Sequence, residues 1–186
     1  MEKPASYCEY VNTLEKENLH KIYHDSQYGF PILSDNELFG RLILEINQAG
    51  LSWTTILKKQ NNFRQSFSNF NIKKIANYGE KEINILLHNP RIIRNKLKIN
   101  AVIFNANRIL EIQKNHGSFS KWLDKNLTTE IDEWVKLFKQ NFKFTGGEIT
   151  KEFLFSTGYL EGAHIETCPI YKKLNNLNPK WKNNYK

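Results

Sequence analysis

The stretch LFGRLILEINQAGLSWTTILKK, residues 38–59, contains signals for both the start and the end of helices. Its first half carries apolar side chains at helical spacing, from Leu38 to Ile46, and Gly50 ends the run. Upstream, residues 34–37 read SDNE, the order of a capping box at a helix start. Ser52 is a second N-cap candidate, ahead of apolar residues at the same spacing. The stretch therefore predicts two helices that meet at a glycine turn.

The rest of the chain shows the same helical signals and no sustained alternation of the strand type. The longest apolar stripe runs over residues 92–110 with a period of about 3.6 residues, and Gly117 follows it. We therefore expect an all-α protein, a single compact helical domain that spans residues 1–186. A hairpin element is expected at about residues 80–112, and the C-terminal tail, residues 176–186, is a candidate for disorder.

Charge is the most informative part of the composition. The 186 residues include 27 lysines and arginines against 19 aspartates and glutamates, a formal net charge of +8. Such a balance favours a polyanionic partner, nucleic acid first, although drift in an AT-rich genome would also enrich lysine. No apolar run approaches the roughly 20 residues of a membrane span, and the first ten residues lack the apolar centre of a secretory signal. We expect a cytoplasmic monomer that joins the nucleoid when it binds DNA.

The two cysteines, Cys8 and Cys168, lie near opposite ends of the chain. His164 and Cys168 have the spacing H-x3-C, which places both side chains on one side of a helix or tight turn. We assign His24 as the partner of Cys8, although spacing alone does not separate it from His20. Two sulfurs and two nitrogens form the tetrahedral set that zinc prefers in closed structural sites, with no position left for a catalytic water. The alternative is a pair of inert core thiols.

A basic segment, residues 86–102, reads LLHNPRIIRNKLKINAV. A helix is expected to end at Asn89-Pro90, and after a short turn a basic helix begins. Free N–H groups at that helix start and the neighbouring basic side chains would bind a phosphate backbone in the manner of a helix-hairpin-helix element. The alternative is an ordinary helical hairpin with a solvated basic face. The basic residues are Arg91, Arg94, Lys96 and Lys98.

The third feature is an acidic residue in an apolar helix. Glu45 lies in the apolar stretch LILEI, residues 42–46, near the predicted helix end, where a carboxylate is costly without a partner. This position suggests a hydrogen-bond acceptor for a ligand. Trp53 and Tyr23 would supply faces for a stacked base, and a cationic base would gain cation–π attraction. The alternatives are a solvent-facing glutamate and a tryptophan in the core.

Taken together, these features resemble the 3-methyladenine DNA glycosylase I family. The similarity covers nearly the whole chain in the order of the family, and QAGLSW, IIRN and the paired Cys/His ends carry it. The matching stretches are IYHDSQYGFP (22–31), LFGRLILEINQAGLSWTTILKK (38–59), RIIRNKLKINAVIFNANRIL (91–110), FKFTGGEI (142–149) and FSTGYLEGAHIETCPIY (155–171).

The resemblance implies a fold of the helix-hairpin-helix glycosylase superfamily and a structural zinc that joins the N- and C-terminal segments. The implied zinc ligands fall on Cys8, His24, His164 and Cys168. The implied base pocket falls on Glu45, Tyr23 and Trp53. The loop that the family inserts into the gap left by an extruded nucleotide falls on Gln48, Gly50 and Leu51.

The chain departs from the family pattern at several positions. A pocket position that is commonly tryptophan is Tyr28 in this sequence. Hairpin glycines expected near Arg91 and Leu97 are absent. Because glycine allows the chain to approach phosphate closely, their absence alters the predicted contact with the DNA backbone. These departures are typical of a divergent branch.

The activity that the resemblance implies is base excision from alkylated double-stranded DNA. The N-glycosidic bond of 3-methyladenine would be hydrolysed, releasing the free base and leaving an abasic site, with Glu45 accepting hydrogen bonds from the flipped base. The resemblance implies no catalytic aspartate, so we assign no general base. One alternative is a non-catalytic, zinc-containing DNA-binding module, which needs no purine pocket. Another is a zinc hydrolase, which four protein ligands disfavour.

Overall fold

Helices account for all the regular secondary structure within residues 4–185, the part of the chain that the computed structural model describes. Residues 1–3 and 186, which the single-domain prediction includes, lie outside the described residues. The α-helices are α1 (Tyr7–Asn12), α2 (Leu19–Ser26), α3 (Asp35–Gln48), α4 (Trp53–Ser66), α5 (Ile72–Ala76), α6 (Glu80–His88), α7 (Lys96–His116), α8 (Phe119–Lys125), α9 (Ile131–Asn141), α10 (Gly147–Ser156) and α11 (Pro169–Asn175). The all-α prediction is confirmed. Across the described chain, no helix has both the length and the apolar character needed to cross a membrane.

Helix α3 is the centre of the fold. Every residue from position 38 to position 47 is buried, because α4, α7, α8 and α10 all pack against this helix. A helix that is enclosed on all sides needs small residues where neighbours approach closely. Gly40 is such a residue, since the ring of Phe70 occupies the space that a Cβ atom would need. Side chains near the end of α3 therefore face protein or an internal cavity rather than bulk water.

The start of α3 differs from the predicted capping box. Ser34 is at the N-cap, but its side chain makes no capping hydrogen bond. Glu37 instead pairs with Arg64, whose Nη1 donates to Glu37 Oε1 at 2.8 Å. Asp35 accepts hydrogen bonds from two backbone N–H groups at the start of α8, at 2.7 and 3.0 Å. The polar residues of this turn thus join α3 to its neighbours, because tertiary partners compete with the local cap.

The basic segment is a loop followed by a helix. Residues 89–95 connect α6 to α7, and α7 begins at Lys96 because the Asn95 side chain accepts from the Lys98 N–H at 3.1 Å. Arg91 and Arg94 therefore lie in the loop and not on the helix that the apolar stripe predicted. The buried Ile92 explains the error, since it continues the apolar spacing without being helical.

The two ends of the chain meet beside the N-terminal helices. Helix α1 packs on α2, and α2 packs on α4. The Gly29 N–H donates to the Ser156 carbonyl at 3.0 Å, and the Trp181 N–H donates to the Gly158 carbonyl at 3.1 Å. Lys180–Tyr185 forms a 3-10 helix. The single-domain extent and the disorder expected for residues 176–186 stay predictions.

Candidate active site and metal centre

A cavity of about 230 Å³ lies among α1, α2, α3, α4 and α10. Pockets for drug-sized ligands measure roughly 300–1,000 Å³, so this one suits a smaller, flat ligand. It brings together the four residues that sequence analysis assigned to a base pocket. The lining residues are Tyr7, Tyr23, Tyr28, Glu45, Gln48, Trp53 and Glu152.

Aromatic rings form one wall of the cavity. The ring centroids of Tyr23 and Trp53 lie 5.1 Å apart at 62°, and those of Tyr23 and Tyr28 lie 5.6 Å apart at 41°. Tyr7 meets Tyr28 edge-on, with centroids 5.5 Å apart. Such tilted and edge-to-face contacts are favourable for aromatic pairs, so the wall is stable without a ligand. Trp53 is half-buried, which leaves part of its surface available to the cavity.

Glu45 reaches the cavity from the last turns of α3 and is 3% exposed. Burial raises the pKa of its carboxyl to about 8, and the charge of Glu152 acts in the same direction. The guanidinium of Arg41 and a hydrogen bond with Ser156 oppose the rise in this pKa. The carboxyl therefore holds a proton near neutral pH and would release it when a cation arrives beside it.

Arg41, one turn before Glu45, is a site residue that sequence analysis missed. Its Nη1 donates to the Tyr23 hydroxyl oxygen at 2.6 Å, and its guanidinium lies 5.0 Å from the centre of the Tyr23 ring. Accepting this bond leaves the Tyr23 O–H as a donor. The signal in the sequence was an arginine three residues after Leu38 in an apolar helix, the same kind of signal that marked Glu45.

Tyr7 and Glu152 also line the cavity without having been predicted. The Tyr28 hydroxyl donates to Glu152 Oε2 at 3.3 Å, a contact across 124 residues of sequence. Tyr7 and Glu152 lie in stretches whose patterns show only amphipathic helix. Their roles come from the packing of α1 and α10, which no local spacing encodes.

The cavity opens beside a tight turn at residues 48–51. The Leu51 N–H donates to the Gln48 carbonyl at 2.7 Å, and Gly50 has φ +79°, the conformation that a type II turn requires. Leu51 is exposed at the tip of this turn. A wider groove continues outward, lined on one side by the turn and on the other by residues 146–149, with Gln48 and Glu152 lining both spaces.

Lys98 corrects one of the sequence predictions. We assigned it to phosphate contact, but it is buried, and its Nζ donates to the Asn47 and Ala49 carbonyls at 2.8 and 2.7 Å. These carbonyls belong to the end of α3, where helix carbonyls lack helical partners. Lys98 thus fixes the 48–51 turn, whereas Arg91, Arg94 and Lys96 are exposed.

The side chains of Cys8, His24, His164 and Cys168 converge in a second cluster, all four buried, with one ligand atom from each within 4.8 Å of the others. The four sulfur-to-nitrogen distances are 3.3, 3.6, 3.7 and 3.8 Å. A tetrahedral ion with bonds of about 2.3 Å to sulfur and about 2.0 Å to nitrogen separates such atoms by about 3.5 Å. His20, the competing histidine, instead contacts Thr54 and Tyr7.

The histidines of this cluster are oriented for metal binding. His24 Nδ1 donates to Asp25 Oδ1 at 2.7 Å, and His164 Nε2 donates to the Tyr28 carbonyl at 2.8 Å. The opposite ring nitrogen of each is then a lone-pair donor toward the cysteines, the usual second-sphere arrangement of metal-bound histidine. Burial lowers the pKa of His164 to about 4, which keeps its imidazole neutral, the form that binds a metal. Burial also raises the pKa of Cys8 to about 11, and a bound cation would offset the cost of ionising this thiol.

A cavity of the size of one flat base, lined by aromatic rings and a buried carboxyl and opening onto a groove, is typical of the class of enzyme that works on a base turned out of nucleic acid. Comparison with known proteins gives the family. A family model described as methyladenine glycosylase matches residues 13–172. The chain therefore belongs to the methyladenine glycosylase family.

Individual relatives agree with this assignment. The chain is 31% identical over 177 residues to DNA-3-methyladenine glycosylase 1 of Escherichia coli (strain K12), covering 85% of this chain and 94% of that protein. It is 30% identical over 173 residues to DNA-3-methyladenine glycosylase of Haemophilus influenzae, covering 83% and 93%. The solved structure of 3-methyladenine DNA glycosylase I from Staphylococcus aureus, at 31% identity, superposes with a TM-score of 0.77 over 84% of this chain and 93% of that one.

The raised pKa of Glu45 predicts a pH-dependent gain of stability in Glu45→Gln. Because the folded-state pKa of about 8 exceeds the unfolded value, the wild type loses stability as pH rises from the ordinary glutamate range to 8, and the glutamine variant does not. The melting temperature of the variant minus that of the wild type should therefore increase between pH 5 and pH 8. Glu133→Gln, at an exposed position on α9, is the control. If the difference in melting temperature did not change with pH, the raised pKa of the buried Glu45 carboxyl would be contradicted.

The contacts of Lys98 predict that Lys98→Met lowers thermal stability without changing the salt dependence of DNA binding. Two buried hydrogen bonds from a charged group are lost, each worth roughly 1.5–3 kcal/mol, but no phosphate contact is removed. Arg94→Ala is the matched variant and should leave stability unchanged while reducing the slope of log K against log salt by about one. Melting curves and salt titrations of binding measure both effects. A reduced slope in Lys98→Met would restore the phosphate role.

Proposed function

We propose that this protein is a base excision repair enzyme that hydrolyses the N-glycosidic bond of 3-methyladenine in alkylated double-stranded DNA. The products are the free base and an abasic site. The observation that carries the proposal is the cavity in which buried Glu45 meets the rings of Tyr23, Tyr28 and Trp53, in a chain of the methyladenine glycosylase family. The names of its relatives indicate the same substrate.

Recognition of the base rests on charge and on stacking. Methylation at N3 makes the purine cationic, and a cation beside Glu45 favours the ionised carboxylate over the protonated form that burial imposes. Glu45 then accepts hydrogen bonds from the edge of the base. The ring faces of Trp53 and Tyr23 add cation–π attraction. An ordinary adenine is neutral and gains neither the ion pair nor this attraction.

The 48–51 turn is suited to hold the DNA open. Flipping a nucleotide costs a few kcal/mol of lost stacking and pairing. Leu51 is exposed at the tip of a turn that Lys98 and the type II geometry of Gly50 hold in place, so its apolar side chain would fill the gap in the stack. Gln48, the first residue of this turn, also lines the base cavity.

The 89–95 loop and the first turn of α7 would bind the phosphate backbone of the DNA. Arg91, Arg94 and Lys96 are exposed there, and Asn95 is the N-cap of a 21-residue helix whose first N–H groups have no partner within the helix. We propose that this unit acts as a helix-hairpin-helix element that binds phosphates without reading sequence. Electrostatic attraction from a chain of net charge +8 supports the same role.

The leaving group needs little acid catalysis, because the cationic base becomes neutral as its bond to the sugar breaks. The work of the site is to hold the base in the cavity and to stabilise the positive charge that develops on the sugar. We also propose that the chain forms a single domain and acts as a monomer.

Zinc is the ion that the Cys8, His24, His164 and Cys168 side chains fit, by donor type and by distance. With four protein ligands, such an ion supplies cross-linking and no open position for chemistry. It would join α1 and α2 to the segment before α11, closing a loop of more than a hundred residues, so its affinity would be expressed as folding stability.

The direct test is to incubate the protein with methylated duplex DNA and to separate the released bases by chromatography. Release of 3-methyladenine is expected. Glu45→Ala should lower the rate of release by roughly 10²-fold or more because the cavity loses the group that pairs with the cation, and it should leave nonspecific DNA binding within twofold. Glu133→Gln serves as the control. If the wild type released no base, the proposal would be wrong. If Glu45→Ala released base at the wild-type rate, the role of Glu45 alone would be wrong.

Metal removal should act on stability before it acts on chemistry. We expect zinc in the purified protein by elemental analysis, and a chelator should lower the melting temperature substantially. Cys168→Ser should show the same low melting temperature without a chelator. If the metal-free protein kept its melting temperature and its circular dichroism but lost base release, the ion would be catalytic and the structural role would be wrong.

A further inference from the structure

Glu152 stands at the junction of the two spaces that the site contains. It lines the base cavity together with Glu45 and Trp53, and it also lines the outer groove between the 48–51 turn and residues 146–149. It lies on α10, which packs against α3, so its backbone is fixed relative to Glu45. Its side chain is half-buried, in contact with the cavity and near enough to the surface to meet a substrate.

The junction is where the scissile bond must lie. With the base in its cavity and the DNA backbone in the outer groove, the sugar of the flipped nucleotide occupies the passage between them. The side chains that line both spaces, Gln48 and Glu152, are then beside the glycosidic bond. Glutamine is neutral, so Glu152 is the group of this pair that can carry negative charge there.

We propose that Glu152 is a catalytic residue whose carboxylate faces the anomeric carbon and takes the proton of the attacking water. The inference rests on the proposed function, since it needs a flipped nucleotide in the cavity. It assigns the general base that the resemblance to the family left open.

The reaction balances without a further reactant. The bond from the anomeric carbon to the base nitrogen breaks, and its electron pair stays with the base, which leaves as neutral 3-methyladenine. The sugar carries the positive charge as an oxocarbenium-like species, which the Glu152 carboxylate stabilises. Water adds to the anomeric carbon through oxygen, and one of its protons passes to Glu152. The hydroxyl remains on the sugar of the abasic site.

The surroundings of Glu152 hold its carboxylate in place. The Tyr28 hydroxyl donates to Oε2 at 3.3 Å and favours the ionised form, as does the charge of Lys151. Burial is the largest influence and raises the pKa of Glu152, and the exposed Glu148 adds to this rise. A pKa above the usual glutamate range improves a carboxylate as a proton acceptor. The titratable groups facing it are Tyr7, Tyr23, Tyr28, Glu45, Glu148 and Lys151.

Glu152→Gln separates chemistry from binding. We expect the single-turnover rate of 3-methyladenine release at saturating enzyme to fall roughly 10²-fold. Affinity for the free base, and for duplex DNA with an abasic-site analogue, should stay within about threefold, because Glu45 and the aromatic wall hold the base while the exposed basic residues hold the backbone. The control Glu133→Gln should match the wild type. A rate within threefold of the wild type, or equal losses of rate and of free-base affinity, would overturn the proposal.

Chemical rescue supplies a readout that a structural role would not give. In Glu152→Ala, added formate should restore part of the rate, because the small carboxylate enters the space that the side chain vacates. Formate should have no effect on Glu152→Gln, whose side chain fills that space. Absence of rescue in a folded Glu152→Ala protein that still binds the free base would argue against the proposal. If the wild type released 3-methyladenine and Glu152→Gln released it at the same rate, the proposed function would be supported. Only the catalytic role of Glu152 would then be wrong.

Discussion

Burying a carboxylate in a helix that is enclosed on every side is costly unless the charge finds a partner or a proton, and Glu45 of α3 is in that position. The protein lowers this cost only in part. Arg41 lies one helical turn away, but its guanidinium is engaged with Tyr23, and Ser156 supplies one hydrogen bond. The remaining imbalance keeps the pKa of Glu45 near 8. Under the proposed function a cationic ligand would complete this site, and functional sites are where such unbalanced groups persist.

The surrounding structure serves to keep that carboxyl and its opening in one geometry. Lys98 of α7 binds the last carbonyls of α3 and so fixes where the helix ends and the 48–51 turn begins. On the other side, the Tyr28 carbonyl accepts from His164 of the buried Cys/His cluster, while the Tyr28 ring lines the cavity. Tyr28 therefore connects the Cys/His cluster, the candidate metal site, to the pocket. A change of metal occupancy would be felt at the pocket wall as well as in the stability of the chain ends.

Local patterns were sufficient to predict the class of fold and the residues whose chemistry is unusual for their surroundings. Apolar spacing marked α3 and α7, and Glu45 was recognisable as a charge in an apolar helix. Lys98 was misassigned because its sequence neighbours are exposed basic residues, and only the approach of α7 to the end of α3 shows that its ammonium is buried. Glu152 and Tyr7 could not be found for a related reason: their importance lies in contacts with residues far away in sequence.

The charges around the cavity also explain how a pocket of this kind would select its substrate. Arg41 lies behind Tyr23, and Glu45 and Glu152 both line the cavity, so two acidic groups border the space for the base. The charge of Glu152 raises the cost of ionising Glu45. A neutral purine of the same shape would leave that cost in place, whereas a cationic purine removes it. A single methyl group changes shape by an amount that hydrophobic contacts discriminate only weakly, roughly 10–200-fold. Selection by charge does not depend on that small difference in volume, because the competing base in undamaged DNA lacks the positive charge altogether. The tyrosine at position 28 suits this arrangement, since its hydroxyl binds one of the two carboxylates and its ring lines the cavity.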